Sequence, residues 1–152
     1  MKIVAQNKKA FFDYEILDRI EAGIVLNGDE VKSVRASHVS LAGSFAHIRD
    51  GELYLVNANI APYEKAYQKQ EDPLRKRKLL LHRQEIDRLL GDITRKGITV
   101  VPLKMYLNEK GRIKVELGLA KHKKDASKKE TIKERDIKRE TSRQLKDVYK
   151  YK

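Results

Sequence analysis

The chain has 152 residues, a net charge of +12 and no cysteine. That length holds one domain plus an extension, with a core large enough to need no disulfide or metal staple. Thiol catalysis, zinc ribbons and disulfide frameworks are excluded, and no apolar run approaches the length of a membrane span.

The opening residues, Met1-Lys2-Ile3-Val4-Ala5-Gln6-Asn7, do not read as a secretory leader, so a cytoplasmic location is expected. A pI near 9.8 favours a polyanionic partner, nucleic acid before anionic membrane.

Residues 12–26 alternate in hydropathy. Phe12, Tyr14, Ile16, Ile20, Ala22, Ile24 and Leu26 share one parity, which Asp18 breaks, and this predicts a long half-buried strand. Gly23 is expected to mark a bulge or bend in it. Asn27-Gly28-Asp29-Glu30 reads as a helix start with a capping box, leading into a short helix with Val31 and Val34 inward. Residues 44–49 and 52–60 predict a hairpin about Asp50-Gly51. Residues 62–77 read as a long loop with a basic end. After the apolar run Leu79-Leu80-Leu81 comes a helix near 83–95, with Ile86, Leu89, Leu90 and Ile93 at helical spacing and Gly97 as its stop. A second hairpin joins 98–107 to 112–120 through Asn108-Glu109-Lys110-Gly111. Val101, Leu103, Met105 and Leu107 share a parity there, as do Ile113, Val115, Leu117 and Leu119.

Five principal strands with the main helix between the third and fourth predict a mainly β protein, an OB-fold-like small Greek-key barrel with flanking helices. Strand count alone also fits an SH3-like barrel or an α+β sheet. The body is expected over 1–120 and a basic tail over 121–152. Residues 119–152 carry 13 Lys/Arg against 6 Asp/Glu, a net of +7. Apolar residues in the tail are sparse and like charges recur at i,i+4, so it is expected to be disordered when free and helical on a partner.

Arg75-Lys76-Arg77-Lys78 is the sharpest basic cluster of the body and is expected to clamp phosphate. Lys8 and Lys9, and Lys121, Lys123 and Lys124, are candidates to extend that footprint. Tyr63 and Tyr67 lie beside the cluster as candidate stacking rings, whereas Phe45 and Tyr14 are expected in the core. The four histidines form no metal spacing. No phosphate loop, nucleophile elbow or acid–base pair is present, so no catalytic residue, cofactor, metal or small-molecule substrate is expected.

Taken together the chain resembles the SsrA-binding protein family, also called small protein B. The resemblance rests on Asn7-Lys8-Lys9-Ala10, Asp13-Tyr14-Glu15-Ile16, Glu21-Ala22-Gly23-Ile24-Val25-Leu26 and Glu30-Val31-Lys32-Ser33. It continues through Gly43-Ser44-Phe45-Ala46, Asn59-Ile60-Ala61-Pro62-Tyr63, Arg75-Lys76-Arg77-Lys78-Leu79-Leu80-Leu81 and Lys114-Val115-Glu116-Leu117-Gly118-Leu119-Ala120-Lys121, with Ile132-Lys133-Glu134-Arg135 in the tail.

The resemblance implies an OB-fold body, acting as a monomer, that binds the tRNA-like domain of transfer-messenger RNA. The tail would enter the decoding centre and empty mRNA channel of a stalled ribosome, and the outcome would be trans-translation without covalent chemistry by the protein. It implies RNA contacts at Glu21, Leu80 and Lys114. Parity places Glu21 and Lys114 off the buried face; Leu80 either packs on an unstacked base or fills the core. In the tail, Lys128, Lys129, Lys133 and Arg135 would join Lys121, Lys123 and Lys124 as ribosome contacts. The tail departs from the family pattern at His122, Ala126, Ser127 and Ile137. From composition alone, a structural ribosomal protein or a general RNA-binding module with a basic extension fits as well.

Overall fold

The computed structural model describes residues 1–63 and 72–123, without the side chain of Lys96. Its elements are β1 (Lys2–Gln6), α1 (Lys8–Asp13), β2 (Tyr14–Ile24), α2 (Gly28–Arg35), β3 (Val39–Ser40), β4 (Phe45–Arg49), β5 (Glu52–Val56), β6 (Asn59–Ile60), β7 (Arg77–Leu80), α3 (Arg83–Lys96), β8 (Thr99–Leu107) and β9 (Ile113–His122). The main sheet runs β1-β8-β4-β5-β7-β2-β9, and β8 also pairs with β9. Six strands, β8-β4-β5-β7-β2-β9, therefore close on themselves, every pair antiparallel. This closed, mainly β body with flanking helices is the OB-fold-like barrel expected.

Local chemistry explains the turns. Asp50 and Gly51 both take positive φ, 52° and 76°, as a two-residue hairpin of this twist requires. Asn108 Oδ1 accepts from the Lys110 and Arg112 amides and closes the second hairpin. Asn27 caps α2, with Glu30 accepting in return from the Asn27 amide. Gly97 ends α3 in the left-handed region. Ile86 and Leu89 of α3 are buried and Ile93 packs on the main core, but Leu90 is exposed, so the helix buries a narrower stripe than its spacing suggested.

The long strand expected from residue 12 is shorter. Phe12 belongs to α1, whose cap Asn7 holds the Ala10 amide and donates Nδ2 to the Pro102 carbonyl at 2.9 Å. The strand's parity is also interrupted, at Leu17 rather than at Gly23. A bulge between Ile16 and Asp18 inserts one residue against β9. A matching bulge in β8 lies between Pro102 and Lys104, where a mid-strand proline is tolerated. Each extra residue reverses which face the alternation presents. Tyr14, Ile16, Val101 and Leu103 thus join Ala10 and Ala120 in a small cluster beside α1. Beyond the bulges, Ile20, Ala22, Ile24 and Met105 turn into the main core with Val115, Leu117 and Leu119 of the unbulged β9.

Gly118 lies where this second cluster presses on β9. A Cβ there would stand 3.0–3.1 Å from three side-chain carbons of Leu103. Leu103 is buried, with little room to move. Gly118→Ala is expected to cost about 1–3 kcal/mol by overpacking, read as a lower denaturation midpoint at unchanged m-value. Unchanged stability would mean that Leu103 repacks freely.

Candidate nucleic-acid interface

After the bulges, β2, β9 and β8 carry one polar outer face. Register fixes its rows. Gly23 of β2 lies opposite Leu80 of β7 on one side and Lys114 of β9 on the other, and Lys114 lies opposite Tyr106 of β8. In the next row Glu21 faces Glu116, and Glu116 faces Lys104. Glu21, Leu80 and Lys114 are therefore gathered around Gly23 from three strands. Leu80 is 50% exposed while its neighbour Leu79 is fully buried, which settles Leu80 as a surface residue. Gly23 is needed for close approach: a Cβ there would meet Leu80 Cβ at 3.3 Å.

The face is electrostatically mixed. Glu116 is held by Arg19 at 3.3 Å and lies 4.0 Å from Lys104 Nζ. Glu21 accepts a hydrogen bond from the Tyr106 hydroxyl through Oε2. Burial, then the Glu21 hydrogen bond and charge and the Glu116 charge, push the Tyr106 phenol well above its usual value, so it stays a donor at neutral pH. Parity put Tyr106 opposite Met105 and Leu107, but its bond to Glu21, two strands away across β9, gave no signal in the sequence.

The basic cluster before β7 is divided by burial. Arg77 is fully buried, and its side chain makes no surface contact. Its Nε and Nη2 donate to Glu30 Oε2 at 2.8 and 2.6 Å, Nη2 also to the Pro73 carbonyl, and Nη1 to the carbonyls of Ala58 and Arg75. All five guanidinium donors are thereby matched. Arg75 donates to both carboxylate oxygens of the same Glu30 and is mostly covered. The expected four-residue phosphate clamp is thus corrected: Arg75 and Arg77 fasten α2 to the barrel, because a carboxylate buried at the α2 cap needs compensating charge. Lys76 is exposed, and Lys78 is partly exposed 3.6 Å from Glu52.

At the far end of the β2–β9 ladder, a groove of about 650 Å³ lies among residues that include Lys9, Tyr14, Gly43, Phe45, Asn57 and His122. The Tyr14 and His122 rings approach to 4.4 Å between centroids. Phe45, expected in the core, is instead 37% exposed at this groove, since Ala46 is the inward residue of β4. Lys8 and Lys121 are exposed and Lys9 and Lys123 partly so. Tyr63 sits 5.0 Å below Lys32 Nζ. Tyr67, Lys124, Lys128, Lys129, Lys133 and Arg135, with the departures at Ala126, Ser127 and Ile137, lie outside the described residues. Among the described residues no group of three or more His, Asp or Glu side chains could hold a metal ion, and no helix is long and apolar enough to cross a membrane.

Comparison with known proteins agrees with this architecture. The family model described as SmpB protein matches residues 4–147. The SsrA-binding protein of Coprothermobacter proteolyticus is 53% identical over 150 residues, 98% of this chain and 100% of that protein. The SsrA-binding protein of Persephonella marina is 50% identical over 150 residues, 99% of this chain and 98% of its own. A solved structure described as "tmRNA-SmpB: a journey to the center of the bacterial ribosome" superposes with a TM-score of 0.65 at 59% identity, covering 79% of this chain and 84% of that one. With matches of this length and identity on the same barrel, the chain belongs to the SmpB family of SsrA-binding proteins.

Proposed function

We propose that this protein binds transfer-messenger RNA (SsrA) through the β2–β9–β8 face and delivers it to stalled ribosomes for trans-translation. It works by binding, without covalent chemistry of its own, in the cytoplasm. The observation that carries this reading is the convergence of Glu21, Leu80 and Lys114 around Gly23 on an exposed sheet face. Lys114 supplies a cation for a phosphate. Leu80 supplies an apolar surface for an unstacked base. Glu21 accepts from a base amino group or a 2′-hydroxyl, contacts that phosphate cannot imitate. The mixed chemistry suits a folded, tRNA-like RNA with exposed bases and backbone, more than a uniform polyanion. Lys8, Lys9, Lys76 and Lys78 are candidates for further backbone contacts. The body of residues 1–120 holds this RNA, and the tail of 121–152, including Lys121, Lys123, Lys124, Lys128, Lys129, Lys133 and Arg135, contacts the decoding centre and mRNA channel.

The test is binding of the full chain to the tRNA-like portion of transfer-messenger RNA at several salt concentrations. Lys114→Ala is expected to weaken binding and to reduce the slope of log K against log salt by about one. Leu80→Ala is expected to weaken binding with the slope unchanged, and without loss of stability, because the side chain is already half exposed. Wild-type binding by both variants would turn the RNA to another face.

A further inference from the structure

We infer that Tyr106 is a positioning residue for RNA recognition, holding the Glu21 carboxylate in one orientation toward the ligand. The inference rests on the β2–β9–β8 face being the RNA surface. Glu21 is an exposed glutamate on a strand, with three rotatable side-chain bonds. Left to itself it has reason to move: Glu116 lies directly opposite in register and repels it, and the cations Arg19 and Lys104 pair with Glu116. Tyr106 opposes that drift. Its ring is 6% exposed, so its position is set by packing, and Lys104 Nζ lies 5.6 Å over the ring. From β8 the hydroxyl reaches across β9 to Glu21 on β2 and donates to Oε2.

Two consequences follow for the ligand. With Tyr106 bonded to Oε2, Oε1 and the remaining lone pair of Oε2 are left to accept from outside, so the group Glu21 meets must bring an N–H or O–H, such as a base amino group or a 2′-hydroxyl. And because the carboxylate is held before RNA arrives, the entropy of fixing a long side chain is not lost at the moment of binding. Tyr106 therefore acts through Glu21, without itself touching RNA.

The experiment is a double-mutant cycle on the full chain, with binding to the tRNA-like RNA measured across a salt series. Tyr106→Phe keeps the ring and removes the hydroxyl. It is expected to weaken binding about tenfold at every salt concentration with an unchanged salt slope, since no phosphate contact is lost. In a Glu21→Ala background the same change is expected to alter affinity less than twofold. Wild-type affinity for Tyr106→Phe would overturn the inference, as would a full tenfold loss persisting without Glu21, which would mark a structural role. If Glu21→Ala alone binds like the wild type, the RNA face itself is misassigned and the inference falls with it.

Discussion

Replacing Arg77 by alanine is expected to destabilise the protein by about 3–5 kcal/mol, a large share of the stability of a domain this size. The residue looks like surface charge in the sequence, yet it is fully buried and every donor it owns is used. Removing it leaves the carboxylate of Glu30 buried with one of its two arginines gone, and leaves the carbonyls of Ala58 and Pro73 without that donor. Arg77→Lys is expected to recover only part of the loss, because an ammonium cannot reproduce the planar fork that reaches Glu30 and three carbonyls together. Denaturant unfolding at neutral pH measures both. A loss below about 1 kcal/mol for Arg77→Ala would place the arginine among ordinary surface charges.

The same network gives an acid dependence with a definite sign. Burial alone would raise the Glu30 carboxyl, but hydrogen bonds from Arg75, Arg77 and the Asn27 amide, together with the Arg77 charge, bring it below its ordinary value of 4.5. A carboxyl depressed in the folded state stabilises fully above its unfolded pKa and loses that contribution as pH falls through the folded one. Wild-type stability is therefore expected to fall on acidification below about 4.5. Glu30→Gln should lack this part of the fall and be less stable than wild type at neutral pH. Parallel pH profiles for the two proteins would exclude Glu30 as the titrating group.

Truncation after Lys124 is expected to abolish tagging in a ribosome-rescue assay while leaving affinity for the tRNA-like RNA within a few-fold of the full chain. The RNA face proposed above lies around Gly23, Leu80 and Lys114, at the end of the β2–β9 ladder opposite to where β9 runs out at His122. Nine residue steps along β2 lead from Tyr14, paired with His122, to Gly23, about 30 Å of strand. A segment leaving the barrel there departs from the far end. Part of the non-specific attraction is still lost with the tail's cations, so the truncated chain should show a shallower salt dependence. If truncation removed binding to the tRNA-like RNA outright, body and tail would share one site and the division between them would fail.

Period-two hydropathy, turn chemistry and caps are local properties, and they made the barrel's parts legible. The hairpins about Asp50-Gly51 and Asn108–Gly111, the Asn27–Glu30 cap and the Gly97 stop each follow from interactions within a few residues. Motif order along the chain likewise carried the family, and parity placed Glu21 and Lys114 off the core. A count of five strands was short because β1 and β7 owe their pairing to partners distant in the chain: β1 to β8, and β7 to β5 and β2.

Tertiary structure alone decided what sequence spacing leaves degenerate. A bulge is a mismatch between two strands, so the faces of Tyr14 against Ile20, and of Leu103 against Met105, could not be assigned from one strand's alternation. Burial of a charge depends on whether a partner charge is delivered by another element, and Glu30 delivers it to Arg77 from 47 residues away. The same holds for Leu80, turned outward beside Gly23, and for Tyr106, joined to Glu21 across β9. Composition determined that this is a cysteine-free, basic protein suited to a polyanion; the closure of the barrel determined which of its many charges are free to meet one.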